Sequence, residues 1–401
     1  MGSEQHFKRS RREPRAGKVE ALLDAKLKGV EWGEFRLEEV FEIVGTKSLD
    51  SNAIDFTETG INFVGRTFEN NGIQGKIQKQ TYEPNKPFTI TATVIGNYKY
   101  VKFQKEYYYC SQNINKLTPK EIICKWNEKI AYYFISYIQK LVSLYDKQQG
   151  GYKLPDIQNH NIQLPTKNNK IDFEFMENFI SEIEAQKVER LEAYLVENGL
   201  KEYRLSDEEN EVLRDFESGN IEWGEFKIGD LFEKLNLKTH KKPFDKVKDT
   251  SSIPTDEFSL PLVNAKFGNN GVMFYGREED FDSAEMTIDI ISNGAIATGT
   301  VYAQPHKTGV LWDAYLLKAV VDDITKNKLL YLSTSIEKSI KLKFGWDNKA
   351  VWSKVQHKLF SLPTKNNQPD YALMQTFISA VQKLVVKDVV LYVENKKGKR
   401  I

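Results

Sequence analysis

The sequence predicts an α+β chain built as a pseudo-twofold internal repeat. Two tandem globules of small mixed β-sheet and helix are separated by long helices that can bury their apolar stripes on each other as a coiled coil. Three observations predict it. Leu164-Pro165-Thr166-Lys167-Asn168-Asn169 returns 198 positions later as Leu362-Pro363-Thr364-Lys365-Asn366-Asn367, and the two copies stay in step to Ser181 and Ser379. Glu31-Trp32-Gly33-Glu34-Phe35 returns 191 positions later as Glu222-Trp223-Gly224-Glu225-Phe226. Between these landmarks both halves alternate in short strand-like runs, and after them both carry apolar residues at helical spacing.

In chain order, residues 1–29 read as a basic disordered arm, with Lys8, Arg9, Arg11, Arg12, Arg15 and Lys18 and no apolar periodicity. A short helix fits 19–28. The first globule spans 30–170, with strands at Ile61–Val64, 88–95 and 107–109 and a helix near 125–144. Asn71-Gly72 signals a tight turn. Leu164-Pro165 reads as a proline-bounded loop that feeds a helix striped by Met176, Phe179, Ile180, Ile183, Val188, Leu191, Tyr194 and Leu195. This helix opens a spacer over 171–220. Gly199 is a candidate C-cap there, Ser206 with Glu209 a capping box, and Gly219 a hinge.

The second globule spans 221–368, with a longer early loop at 238–258. Strands fit Leu260–Val263, Thr287–Ile291 and 295–302, with a helix near Lys326–Ile340. The last spacer helix, 369–396, carries Met374, Phe377, Ile378, Val381, Leu384, Val385 and Leu391. Each striped helix could lie on its own globule. Duplication with matching phase favours burial of the stripes on each other. Trp32, Trp223, Phe35 and Phe226 are expected as core anchors.

A chain of 401 residues implies two or three domains. Its 40% apolar and 12% aromatic content is that of a soluble protein. No run suits a membrane span, and the first 29 residues lack a signal peptide's apolar core. Cys110 and Cys124 are the only cysteines, which points to a reducing cytoplasm and no disulfide framework. The net charge of +1 conceals an uneven distribution. Residues 74–170 hold fifteen lysines against six acidic residues, whereas 171–233 hold nineteen acidic against six basic. Another six lysines cluster over 338–358. Basic segments at similar places in both halves suit a polyanion.

The paired EWGEF openings, the Leu362-Pro363 segment, Pro369-Asp370-Tyr371 and the following Phe377-Ile378 together resemble the specificity subunit of type I restriction–modification systems. The resemblance is closest to the type IIB-like specificity subunits and covers 31–396. The first copy departs at Lys170-Ile171-Asp172-Phe173.

The resemblance implies a non-catalytic reader of double-stranded DNA, each globule a target recognition domain for one half of a split site. It also implies that the two helices pack as an antiparallel coiled coil. A helix of about 25 residues spans roughly 38 Å, near one turn of B-DNA at ~34–36 Å, and would set the spacing. The implied partners are two modification subunits that bring S-adenosylmethionine, with a restriction (translocase or nuclease) subunit as a further candidate. A type IIB partner with fused nuclease and methyltransferase is the alternative, as is a stand-alone DNA-binding regulator.

The residues themselves offer no catalytic set. An Asn/Asp-Pro-Pro-aromatic methyltransferase loop is absent, Gly294 to Thr300 lacks a phosphate loop's lysine, and the five histidines have no metal spacing. Amide side chains suit adenine, and Arg or Lys suits guanine. The candidate DNA contacts are Lys47, Arg66, Asn97, Tyr98, Lys99, Gln112, Asn113, Lys147, Gln148 and Tyr152 in the first half. In the second they are Lys238, His240, Lys241, Lys266, Asn293, Lys343, Trp346 and Lys349. Asn70-Asn71 and Asn269-Asn270 are better explained as turn structure.

Overall fold

The computed structural model describes residues 25–237 and 243–398. Residues 1–24, and with them most of the expected basic arm, lie outside the described residues, as do Lys238, His240 and Lys241. The chain divides into two compact units, Met1–Glu189 and Arg190–Ile401.

In the first unit the strands are β1 (Glu31–Arg36), β2 (Phe41–Gly45), β3 (Ser48–Leu49), β4 (Ile61–Val64), β5 (Ile73–Ile77), β6 (Thr89–Thr93), β7 (Val101–Gln104), β8 (Tyr108–Ser111), β9 (Ile114–Pro119), β10 (Asn161–Lys167) and β11 (Lys170–Ile171). They form three sheets, of order β2-β9-β6-β7, β3-β8-β4-β5 and β1-β10-β11. Helix α1 (Glu128–Ser143) starts where Asn127 accepts from the Lys129 and Ile130 amides, a standard N-cap. Its Ile130, Phe134 and Ile138 bury against Phe41, Ile90 and Phe103 of the first sheet. Phe41 meets Phe134 edge-on at 5.0 Å.

The second unit repeats this frame with β12 (Trp223–Lys227), β13 (Phe232–Lys234), β14 (Leu260–Val263), β15 (Val272–Gly276), β16 (Ser283–Ala284), β17 (Thr287–Ile291), β18 (Val301–Gln304), β19 (Thr308–Val310), β20 (Ala314–Ala319), β21 (Leu359–Lys365) and β22 (Gln368–Pro369). The orders are β13-β20-β17-β18, β15-β14-β19-β16 and β12-β21-β22. The expected strand at 295–302 shrinks to Val301–Gln304, and 292–300 is a loop.

The Leu-Pro segments are strands, not loops. Leu164-Pro165 lies in β10, paired with Gly33 and Trp32 of β1. Its turn residues Asn168 and Asn169 have φ of 53° and 58°, the paired positive angles of a two-residue hairpin. Asn366 and Asn367 repeat them. Trp32 and Trp223 are not core anchors. They are 38% and 53% exposed, because strand alternation turns the flanking Gly33 and Phe35, or Gly224 and Phe226, inward instead.

The first part of each helix stripe lies on its own globule, and only the later part is left to a helix partner. In α2 (Phe173–Glu197), Phe173, Met176, Phe179 and Ile180 belong to the core of the first globule. In α5 (Tyr371–Gly398), Met374, Phe377 and Ile378 belong to the core of the second. The two stripes match in phase because each helix begins as core of its own domain. Further along α5, Leu384 and Val385 are exposed.

The far end of α5 is nonetheless partnered within the second unit. Helix α3 (Asp207–Ser218) follows Ser206, whose capping box with Glu209 forms as expected. The Glu209 carboxylate accepts from Ser379 Oγ at 2.6 Å and Lys383 Nζ at 2.8 Å. Beyond them, Lys397 pairs with Glu192 at 2.7 Å, and Leu195, Val390 and Val393 are buried. As α5 advances from 379 to 397, its partners retreat from 209 to 192, so it runs antiparallel to them.

One pair of core positions is filled in opposite ways in the two halves. Tyr152 is buried in the first core, beside the small Asn115 that β9 places opposite Ala92. In the second half β20 places Tyr315 opposite Ile290. Tyr315 donates its hydroxyl to the carbonyl of Ala350 at 3.0 Å, where Tyr152 would stand.

Candidate nucleic-acid interface

Four connections of the first globule converge at one end. The loop 94–100 joins β6 to β7, the turn 112–113 joins β8 to β9, the turn 144–151 follows α1, and 65–72 joins β4 to β5. Val94 donates to the Asn113 carbonyl at 2.9 Å and Lys147 to that of Asn97 at 2.8 Å. Asn113 and Lys147 both have φ of 62°, which suits an asparagine and marks both residues as turn formers. Gly151 has φ of 61°, and a Cβ there would stand 1.9 Å from the Val94 carbonyl oxygen. These bonds make the rim a fixed platform.

Arg66 and Gln112 line one cleft of about 360 Å³, with Asn52, Gln74 and Gly96. Asn97, Tyr98, Asn113, Lys147 and Gln148 are exposed on the loops around it. Lys47 is exposed too, beside the 112–114 turn through the bond from the Thr46 amide to the Ile114 carbonyl. Its ammonium lies 3.9 Å from the centre of the Tyr82 ring.

Two expected contacts are not available to DNA. Lys99 is 1% exposed and donates to the carbonyls of Gly96, Tyr145 and Gln148. It staples two loops together, since a buried ammonium must spend its donors inside the protein. Tyr152 is 3% exposed and fills the core beneath the rim.

The second globule builds an equivalent rim from 264–271, 292–300, 311–313 and 341–350. Ser292 donates to the Asp313 carbonyl at 2.8 Å and Ala350 to that of Ser292 at 3.0 Å. Asn293 spends its amide on Asp313 Oδ1 at 2.9 Å and holds the rim instead of facing out. Trp346 and Lys349 are exposed, and Lys266 is half-buried. Lys343 lines a separate groove of about 470 Å³ with Trp223, Tyr331 and Phe377.

The Asn-Asn-Gly turns serve structure. Asn71 donates to the Phe103 carbonyl at 2.8 Å, and Asn270 to that of Ala303 at 2.9 Å.

The rims present different chemistry. Where the first offers Tyr98 and Gln112, the second offers Ile296 and Trp312, exposed by 78% and 59%, while Leu144 and Leu342 are exposed in their respective rims. The sequence reading passed over Phe68, Phe267, Ile296, Trp312 and Leu342 because it weighted amide and basic side chains and few apolar ones. For Phe68, Phe267 and Ile296 the signal was a lone large apolar residue among turn formers, whereas Trp312 and Leu342 sit near other apolar residues and carried no such mark.

Two tandem copies of one frame, each with a rim of loops and its own side chains, are matched by a family comparison. The family described as type I restriction modification DNA specificity domain matches residues 29–193 and again 220–385. The chain belongs to this family. It is a restriction–modification specificity subunit that recognises DNA with two domains. A type II restriction enzyme specificity subunit from Heyndrickxia coagulans is 22% identical over 369 residues, covering 89% of this chain and 96% of that one. The type I S subunit of M. genitalium has the same fold, with a TM-score of 0.57 and 14% identity over 92% of this chain and 93% of its own. Among the described residues, no helix is long and apolar enough to cross a membrane.

Proposed function

We propose that each rim reads one half of a bipartite DNA target, and that the chain itself performs no catalysis. One observation supports this above others. The two rims share a backbone frame, with Val94 to Asn113 matched by Ser292 to Asp313 and the two Asn-Asn-Gly turns bonded alike, yet they present different side chains at matched places. A frame held constant under a varied surface suits two different base sequences. Arg66 and Gln112 have the donors and acceptors to address purine edges in the major groove. Trp312 and Ile296 suit apolar contact, such as with a thymine methyl. Modification subunits, two per chain, would supply S-adenosylmethionine and the methyl transfer in the cytoplasm.

The test exchanges residues 31–163 for the corresponding domain of another member, followed by methylation mapping in cells. One half of the recognised site should change and the other stay. A change in both halves, or in neither, rejects the proposal. The near full-length match to a type II specificity subunit favours a partner that carries nuclease and methyltransferase together. Co-purification from the native host distinguishes that partner from separate subunits.

A further inference from the structure

We propose that Phe68 and Phe267 give each domain a grip on duplex DNA that is independent of base sequence. The ring lies against sugar and base-pair edges, and the lysine beside it lies on the flanking phosphate. The inference rests on the rims facing DNA.

Phe68 and Phe267 are 67% and 65% exposed, each two residues before the Asn-Asn-Gly turn. Leaving a phenylalanine in water forgoes the stabilisation its burial would give, and the hydrogen bonds of the turn do not use the ring, although Phe68 meets the Tyr100 ring at 5.7 Å between centres. Asn70 and Asn269 fix the turn by donating to the carbonyls of Ile73 and Val272. The flanking residues have diverged, with Arg66, Thr67 and Glu69 replaced by Ala265, Lys266 and Gly268. Among residues 66–69 only the phenylalanine has stayed, and it has stayed exposed. A residue that read bases would be expected to diverge with its neighbours.

A cation covers each ring, and the two cations have different origins. Lys102 of β7 stands 4.5 Å from the Phe68 centre. In the second half Tyr302 occupies that strand position, and the ammonium comes from Lys341 after α4 (Lys326–Ile340), 5.5 Å from the Phe267 centre. Lys341 also donates to the Ile296 carbonyl and to Thr300. Descent from one ancestral repeat explains the repeated ring but not the cation, which has been supplied twice. Such a pair at an exposed site stabilises less than burying the ring would, too little to justify the ring for stability. An apolar face with a cation above it matches a sugar edge with its phosphate, the part of DNA common to every sequence.

The experiment uses the specificity subunit assembled with its modification partner. Affinity is measured for the cognate duplex and for a duplex with the bases of one half-site replaced. Phe68→Ala and Phe267→Ala should each weaken both duplexes by the same factor, about tenfold or ~1.4 kcal/mol, and leave their ratio unchanged. Phe68→Leu should recover part of the loss. Lys102→Met should lower the slope of log affinity against log salt by about one. Unchanged affinity in both alanine variants overturns the proposal. So does a loss of discrimination confined to one half-site, which would make the ring a base reader, or a loss of subunit assembly alone, which would make it a protein contact. Arg66→Ala and Trp312→Ala are the separate check on the rims. If neither alters discrimination, the rim assignment fails, whatever the phenylalanines do.

Discussion

Asp289 sits in the middle of β17, fully buried, and only one of its carboxylate oxygens is satisfied. Gln304 donates to Oδ1 at 2.7 Å, whereas Oδ2 has no hydrogen-bond partner. In the first half the same place holds Thr91, whose hydroxyl accepts from Gln104 at 3.0 Å. Burial pushes Asp289 up to about 8 from 3.8. The folded chain therefore holds a proton that the unfolded chain releases between those values, and stability falls as pH rises across that window. Asp289→Thr should raise the melting temperature of the second unit by several degrees at pH 8.5 and change it little at pH 4. Calorimetry at the two values decides it, and an equal shift at both would refute the account. Lys99 and Tyr152 show why single residues were the least legible scale. Their types suit DNA contact, and only the three carbonyls around Lys99 and the core around Tyr152 reveal another use.

Elements were more legible than residues. The strands at Ile61–Val64, Leu260–Val263 and Thr287–Ile291, helix Lys326–Ile340 and the capping box at Ser206 stand where hydrophobic pattern and cap chemistry placed them. The Leu-Pro strand was missed because a proline reads as a breaker, although it costs nothing where its absent N–H is not needed by the ladder. The stripes were visible but not what they cover, since periodicity identifies an apolar face and says nothing of its partner. The docking of α3 on α5 is testable at this scale. Burial raises the Glu209 pKa, but Lys383, Ser379 and the Ser206 amide outweigh it and hold the carboxyl below its usual value. Its contribution is present at neutral pH and lost as pH falls through the folded pKa. Lys383→Met should cost about 1–3 kcal/mol and move acid unfolding to higher pH, as followed by circular dichroism. An unchanged acid transition would show that the pair contributes nothing.

At the scale of the whole molecule the duplication was plain, because two fixed offsets and matched landmarks leave no other reading. Helix α2 runs unbroken from Phe173 to Glu197 across the border between the two units. If it sets the distance between half-sites, four residues inserted near Glu189 add ~6 Å and keep the helical phase nearly unchanged. The recognised spacer should then lengthen by one or two base pairs while both half-sites persist, as read by methylome sequencing. A spacer of unchanged length would sink the ruler. The oppositely filled core positions carry a consequence for inheritance. Similar halves within one gene invite unequal recombination, and a crossover between the codons for Asn115 and Tyr152 would join parts of the two solutions. One product would force Tyr152 and a tyrosine at position 115 into the same space, and its reciprocal would leave Asn115 facing an alanine across a void. Exchanges that carry both positions together avoid the clash and the void, so breakpoints in functional chains should fall outside the stretch between Asn115 and Tyr152 and its counterpart in the second half.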